Sequence, residues 1–210
     1  MNVQAFMALA AAYPYFDLPM ALQWTGMDRH SLLMQLTRWT KAGYLLTLRR
    51  GLHTVAEPYR KHPHSAPELA NAIYSPSYLS LEWALSHYGL IPEAVPVFTS
   101  VTARVTRTFE NLLGRFEYHH IQQNLFTGFS RRQLLGVDIY MAHPEKALLD
   151  YLYFSSGEWS AERHGEMRWQ NLDMLRIGKL RETAVGYPDR VRRAVERIRK
   201  VKAEEKGIRI

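Results

Sequence analysis

The 210-residue sequence contains no cysteine, which excludes a disulfide framework, a thiolate nucleophile and a cysteine-ligated zinc site. It also lacks the uninterrupted run of about 18 apolar residues that a membrane-spanning helix needs. The N-terminal stretch carries little charge, but it has no cationic start, and Pro14, Asp17 and Pro19 interrupt it, so it does not fit a signal peptide. We therefore expect a soluble, cytoplasmic protein with no membrane partner.

Acidic residues are fewer than basic ones. The 20 Asp and Glu residues stand against 27 Lys and Arg residues, giving a formal net charge of +7. The excess lies at the two ends of the chain: residues 1–64 have a net charge of +4 and residues 188–210 of +5, whereas residues 65–150 have −2. This asymmetry favours an anionic partner, most simply nucleic acid, and a DNA-binding module at one end of the chain.

Three short helices are predicted in the first part of the chain. Apolar residues at helical spacing begin at Val3, and Pro14 ends that segment. Asp17 is placed to cap a second helix, and Asp28 to cap a third that runs to about Ala42. Two β-prone runs, 44–48 and 52–55, then predict a hairpin whose tip is residues 49–51.

Three helices followed by a small hairpin are typical of a winged helix-turn-helix, in which the third helix reads the major groove. Arginines at the hairpin tip reach phosphate or the minor groove. The core side of the third helix is expected to hold Leu32, Leu33, Leu36, Trp39 and Thr40. The predicted DNA-binding residues are Arg29, His30, Ser31, Gln35, Arg38, Lys41, Arg49, Arg50 and His53. A winged helix used only for protein contacts is the alternative.

The rest of the chain predicts a second domain and a tail. The expected fold is α+β: a winged helix-turn-helix over 1–57, a linker over 58–67, a mixed α/β domain over 68–187 and a basic C-terminal helix over 188–210. Within the second domain we expect helices over 78–89 and from 143 onward, and strands over 95–102, 116–121 and 137–142. The tail helix has one apolar stripe and a basic remainder, which suits DNA backbone, RNA or an acidic protein surface.

Four sequence blocks of the second domain resemble the AbiEi family. They are YLSLEWALSHYGLIPE, VFTSVTAR, GRFEYHHI and VDIYMAHPEKALLDYLYF. The resemblance covers about residues 1–155. It departs at Leu52-His53, where the family has an aromatic residue in the wing.

This resemblance implies an antitoxin of a type IV toxin–antitoxin system, with an N-terminal winged helix and a mixed α/β C-terminal domain. Members of the family repress their own operon by binding inverted repeats in duplex operator DNA, and they counteract a nucleotidyltransferase-like toxin encoded beside them. Whether this chain binds DNA as a monomer or a dimer stays open, and so does direct contact with the toxin.

Enzyme and metal patterns are weak. His62-x-His64 lies in the linker, and the adjacent His119 and His120 point to opposite faces of a strand, so no metal site is expected. Asp138, Glu145 and Lys146 are the only candidates for a magnesium nuclease, and Glu145 is explained more simply by its place at a helix start. We expect no catalytic residue and no cofactor. A transcription regulator without a toxin and a DNA-tethered nucleic-acid or nucleotide enzyme are the alternative functions.

Overall fold

The computed structural model describes residues 2–61, 63 and 65–208, and its architecture is α+β. The N-terminal unit consists of three helices and a three-stranded antiparallel sheet in the order β1-β3-β2. Its elements are α1 (Val3–Ala10), β1 (Phe16–Asp17), α2 (Leu18–Thr25), α3 (Arg29–Lys41), β2 (Leu45–Arg49) and β3 (Leu52–Val55).

Local side-chain caps set the starts of the second and third helices. The Asp17 carboxylate accepts a hydrogen bond from the Met20 amide, and the Asp28 carboxylate accepts one from the Ser31 amide, each at 3.0 Å. Gly26 ends α2 in the left-handed conformation, with φ of 62°. Both predicted caps are confirmed, because capping depends only on residues three positions apart.

The core of the N-terminal unit is aromatic and aliphatic. Phe6, Phe16, Leu32 and Leu36 are buried within it, and the Phe6 and Phe16 rings meet edge to face at 5.4 Å. Leu33, predicted to face this core, is instead 40% exposed. Helical geometry explains the difference, since Leu33 follows Leu32 by 100° around the helix and the core stripe is narrow.

The second unit surrounds a six-stranded mixed sheet in the order β6-β7-β5-β4-β9-β8. The pairs β5–β7 and β4–β9 are parallel and the others antiparallel. Its strands are β4 (Tyr78–Leu79), β5 (Phe98–Thr102), β6 (Arg107–Asn111), β7 (Gly114–His120), β8 (Phe129–Leu134) and β9 (Val137–Ala142). Its helices are α4 (Ala66–Ile73), α5 (Leu81–His87), α6 (Pro144–Phe154), α7 (Ala161–Glu166), α8 (Ile177–Ala184) and α9 (Asp189–Ile208). Short 3-10 turns occupy Glu57–Tyr59, Gln123–Leu125 and Leu172–Met174.

Two predicted boundaries in the second unit are wrong. The helix expected from Tyr78 begins at Leu81, because Tyr78 and Leu79 form β4 in the middle of the sheet and are fully buried there. The predicted linker overlaps the start of α4 at Ala66. The His62-x-His64 pair of that linker lies outside the described residues.

A polar network is buried between the sheet and α6. The Lys146 ammonium contacts the Asp150 carboxylate at 2.6 Å and the Tyr187 hydroxyl at 2.5 Å. Tyr78 and Ser80 donate to the other Asp150 oxygen at 3.0 and 2.8 Å. Burial lowers the pKa of Lys146 and raises that of Asp150, because both charges are removed from water. The network therefore connects β4, α6 and the segment between α8 and α9 that contains Tyr187.

The two units share an interface along the hairpin. Leu48 and Leu52 are buried in the core of the second unit, not in that of the first. Asn111 of β6 donates a hydrogen bond to the Leu48 carbonyl at 3.0 Å. A fragment that ended at the linker would therefore expose both leucines, so DNA binding is better tested on the full chain.

Among the described residues, no helix has the length and apolar content that crossing a membrane requires.

Candidate nucleic-acid interface

The outer face of α3 carries a continuous exposed stripe. His30, Met34, Thr37, Arg38 and Lys41 are all exposed, and their spacing of three and four positions places them along one side of the helix. The opposite side is buried against α1, α2 and β2. Thirteen residues make a helix of about 20 Å, which is long enough to lie across a major groove.

The charge of α3 has one sign. The helix contains Arg29, Arg38 and Lys41 and no acidic residue. All three cations are exposed, and within residues 2–61, 63 and 65–203 none of them has an ion-pair or hydrogen-bond partner. Three positive charges on one helix, free of internal partners, can contact phosphate or base edges without breaking an existing interaction.

Two of the predicted α3 residues lie at the edge of the stripe, where Ser31 and Gln35 are half-buried. The sequence prediction omitted Met34 and Thr37. Met34 is 50% exposed at the centre of the stripe, beside the 40% exposed Leu33. Helical spacing places Met34 on the outer side of α3, but its apolar side chain does not by itself indicate a contact with DNA. Such a side chain suits contact with a thymine methyl group.

The two arginines predicted at the hairpin tip, Arg49 and Arg50, lie in different environments. Arg50 is exposed and its side chain has no partner among the described residues, so it is available for a contact with phosphate. Arg49 is half-buried: its guanidinium donates to the Ile73 carbonyl at 2.5 Å and to the Arg50 carbonyl at 2.9 Å. Arg49 is therefore engaged within the protein, because the second unit packs against that side of the hairpin, and its predicted contact with DNA stays a prediction.

His53 is likewise engaged within the N-terminal unit, and its predicted contact with DNA stays a prediction. It lies in the central strand of the small sheet, where its ring stacks on Phe16 at 5.7 Å and its Nδ1 pairs with the Thr47 hydroxyl at 3.2 Å. Burial lowers the pKa of His53, so the ring is neutral at pH 7 and carries no charge to a phosphate.

The basic residues of α9 are mostly engaged within the protein. Arg190 donates to the carbonyls of Leu152, Tyr153 and Ser155 at the end of α6. Three more arginines form ion pairs, Arg192 with Asp189, Arg193 with Glu158 and Arg199 with Glu196. Arg197 and Lys200 are the exposed cations of α9 that lack such partners within residues 65–203.

The residues considered for a magnesium nuclease occupy three different environments. Glu145 accepts hydrogen bonds from the amide and guanidinium of Arg176, at 3.0 and 3.3 Å. Lys146 lies in the buried network, and Asp138 is exposed and paired with Arg131. The described part of the chain holds no cluster of three or more His, Cys, Asp or Glu residues that could bind a metal ion.

Comparison with protein-family models finds no match to this chain. Comparison with curated proteins finds no match either.

Proposed function

We propose that the N-terminal unit is a winged helix-turn-helix and that the protein binds its own operator DNA as a repressor. The observation that carries this proposal is the outer face of α3, where Arg29, Arg38 and Lys41 are exposed and have no partner among the described residues, on a helix without acidic residues. The α2–α3 pair supplies the helix-turn-helix, and the β2–β3 hairpin supplies the wing with Arg50 at its tip.

Operator DNA is the partner that this surface fits best. Duplex DNA offers a dense row of phosphates for the cations and a groove wide enough for a helix. His30, Thr37 and Arg38 add donors and acceptors that can meet base edges, and Met34 adds an apolar contact. The protein-contact alternative for a winged helix would not need three unpaired cations on this helix.

We further propose that the protein is an antitoxin of the AbiEi type. This step rests on the four resembling sequence blocks, which supply the central strands β7, β5, β4 and β9 and helices α5 and α6. The second unit would then counteract a nucleotidyltransferase-like toxin, while the first represses the operon. The regulator without a toxin shares the DNA-binding surface and differs only in its partner.

The test of DNA recognition is a competition measured by fluorescence anisotropy with the full-length protein. The DNA upstream of its own gene should bind at least about a thousandfold more tightly than a shuffled duplex of the same length and composition. Gln35→Ala and Arg38→Ala should each weaken specific binding by about 1–3 kcal/mol for a good base contact and leave shuffled DNA less affected. Equal affinity for the two duplexes would contradict a sequence-specific repressor.

The antitoxin step has its own test. Cells that express the neighbouring nucleotidyltransferase-like gene should be rescued by the wild-type protein. Arg38→Ala should lose repression yet keep rescue, since Arg38 lies on the first unit. Failure of the wild-type protein to rescue growth, with operator binding intact, would favour the regulator without a toxin.

A further inference from the structure

The β2–β3 hairpin is anchored to the second unit at a break in its own pairing. The register between the two strands shifts between Thr47 and Arg49, so Leu48 has no paired residue in β3. Such a shift is typical of a β-bulge, which redirects a side chain out of the regular alternation of a strand. The Leu48 side chain is 3% exposed and lies in the core of the second unit. The hairpin is therefore held two residues before Arg50 at its tip.

Asn111, at the end of β6, binds the backbone of the same residue. Its Nδ2 donates to the Leu48 carbonyl at 3.0 Å, and its Oδ1 accepts from the Leu113 amide at 2.8 Å. Because β2 lies at the edge of the small sheet, its outer backbone groups are free to pair with another element. Both ends of the Asn111 amide are used, which fixes its orientation between the β6–β7 turn and the hairpin.

The turn that carries Arg50 is held on both sides. Leu52, where the chain returns into β3, is buried in the same core as Leu48. Between them, Gly51 adopts the left-handed conformation that the tight turn requires, with φ of 78°. The Arg50 side chain itself is exposed. A cation on a backbone that is already held loses less conformational entropy on meeting a phosphate than one on a loose loop.

We propose that Asn111 is a positioning residue for the wing. By holding the Leu48 carbonyl, it keeps the hairpin ordered in the free protein, so that Arg50 meets a DNA phosphate without a further ordering cost. This inference rests on the proposed function, since it needs the wing to contact DNA. Through Asn111 the second unit contributes to operator affinity by way of the wing.

Asn111→Ser is the variant that isolates this contact. A serine hydroxyl is too short to replace the amide that reaches Leu48, but it can still accept from the amide two residues on, which preserves the β6–β7 turn. The substitution changes no charge. Asn171→Ser is the matched control, because the Asn171 amide donates to the Gly89 carbonyl at 2.9 Å in a bond that does not involve the hairpin.

The binding test is a double-mutant cycle with Arg50→Ala, measured by fluorescence anisotropy with the full-length protein and the DNA upstream of its own gene. Asn111→Ser should weaken binding by about threefold, the usual net effect of one hydrogen bond. In the Arg50→Ala background it should have no further effect, since the contact that it positions is already absent. Asn171→Ser should leave affinity unchanged in both backgrounds, and thermal unfolding verifies that every variant is folded.

Amide hydrogen exchange of the free protein tests the positioning itself, without DNA. The amides of residues 45–55 should exchange about threefold faster in Asn111→Ser and at the wild-type rate in Asn171→Ser. Unchanged exchange across the hairpin would overturn the proposal. So would equal losses of affinity on adding Asn111→Ser with and without Arg50. Wild-type affinity in Arg50→Ala would instead contradict the wing's contact with DNA in the proposed function, while faster exchange in Asn111→Ser would still support the hold of Asn111 on the hairpin.

Discussion

The helices α3 and α9 are both basic, yet the structure uses their charge in opposite ways. The three cations of α3 have no internal partner among the described residues, whereas Arg190, Arg192, Arg193 and Arg199 of α9 hold carbonyls or carboxylates of the protein itself. The net charge of each helix does not show this difference, because it includes paired and unpaired cations alike. What distinguishes a surface for an anionic partner is charge that the fold has left unpaired.

The largest predicted effect is on stability and concerns Lys146, the cation buried beside Asp150. Lys146→Met should lower the free energy of unfolding by about 3–5 kcal/mol, because it leaves Asp150 buried without its partner. Lys200→Met, which removes an exposed cation of α9, should change it by no more than about 0.5 kcal/mol. Urea unfolding of both variants measures the difference, and similar values for the two would show that Lys146 is not a structural cation.

A second effect concerns His164 of α7, which packs beneath α9. Burial, with the charges of Arg197 and Arg163, lowers the pKa of His164 to about 4 from 6.5. The unfolded chain therefore binds a proton between these values and the native state does not. The contribution of neutral His164 to the free energy of unfolding is therefore complete above pH 6.5. It is lost as the pH falls to 4, which lowers the free energy of unfolding by about 3 kcal/mol.

The pH dependence is measured by urea unfolding between pH 7 and pH 4, with His164→Gln as the comparison. The variant should be less stable at pH 7, since His164 accepts a hydrogen bond from the Trp169 indole at 3.3 Å. Its stability should nevertheless fall less steeply with pH than that of the wild type. Parallel curves for the two proteins would contradict a buried neutral histidine.

Arg190→Ala sharpens the comparison within α9. Its guanidinium donates to three carbonyls at the C-terminal end of α6, so its loss should lower the free energy of unfolding by about 1–3 kcal/mol. Lys200→Ala is the control and should be nearly neutral. Neither change should alter affinity for operator DNA, and a loss of affinity in Arg190→Ala with normal stability would assign α9 to the DNA interface.

The smallest effect separates the two arginines of the hairpin. Arg50→Ala should weaken binding to any DNA sequence severalfold and reduce the salt slope by about one unit if Arg50 contacts a phosphate. Arg49→Ala should leave that slope unchanged and lower stability, because it removes the hydrogen bond to Ile73. Salt-dependent binding and urea unfolding of both variants check this division, and the reverse pattern would restore Arg49 to the interface.

The features that could be predicted from the sequence are those that depend on residues close together in the chain. The caps at Asp17 and Asp28 depend on residues within a few positions, and both were predicted from the sequence. The exposed side of α3 followed from helical spacing, except that Leu33 was assigned to the core side and is 40% exposed. These features fix the orientation of the proposed recognition helix.

What the sequence could not show depends on partners far along the chain. Arg49 is bound by a carbonyl 24 residues away, and His53 stacks on Phe16 across the small sheet. Tyr78 and Leu79 join the large sheet through β5 and β9, which overrode their helix-like pattern. The pairing of the α9 arginines likewise needed the positions of α6 and Glu158, so composition overstated the free charge of the tail.

The most direct test of the central claim removes two unpaired charges from each basic helix. Arg38→Ala with Lys41→Ala, on α3, should weaken binding to the protein's own upstream DNA by about a hundredfold or more, at roughly 1–3 kcal/mol per contact. Arg197→Ala with Lys200→Ala, on α9, removes the same charge and should weaken it less than about threefold. The measurement is fluorescence anisotropy at one salt concentration, with thermal unfolding in parallel. Equal losses in the two double variants would show that binding follows net charge rather than the α3 surface, and would contradict the proposed interface.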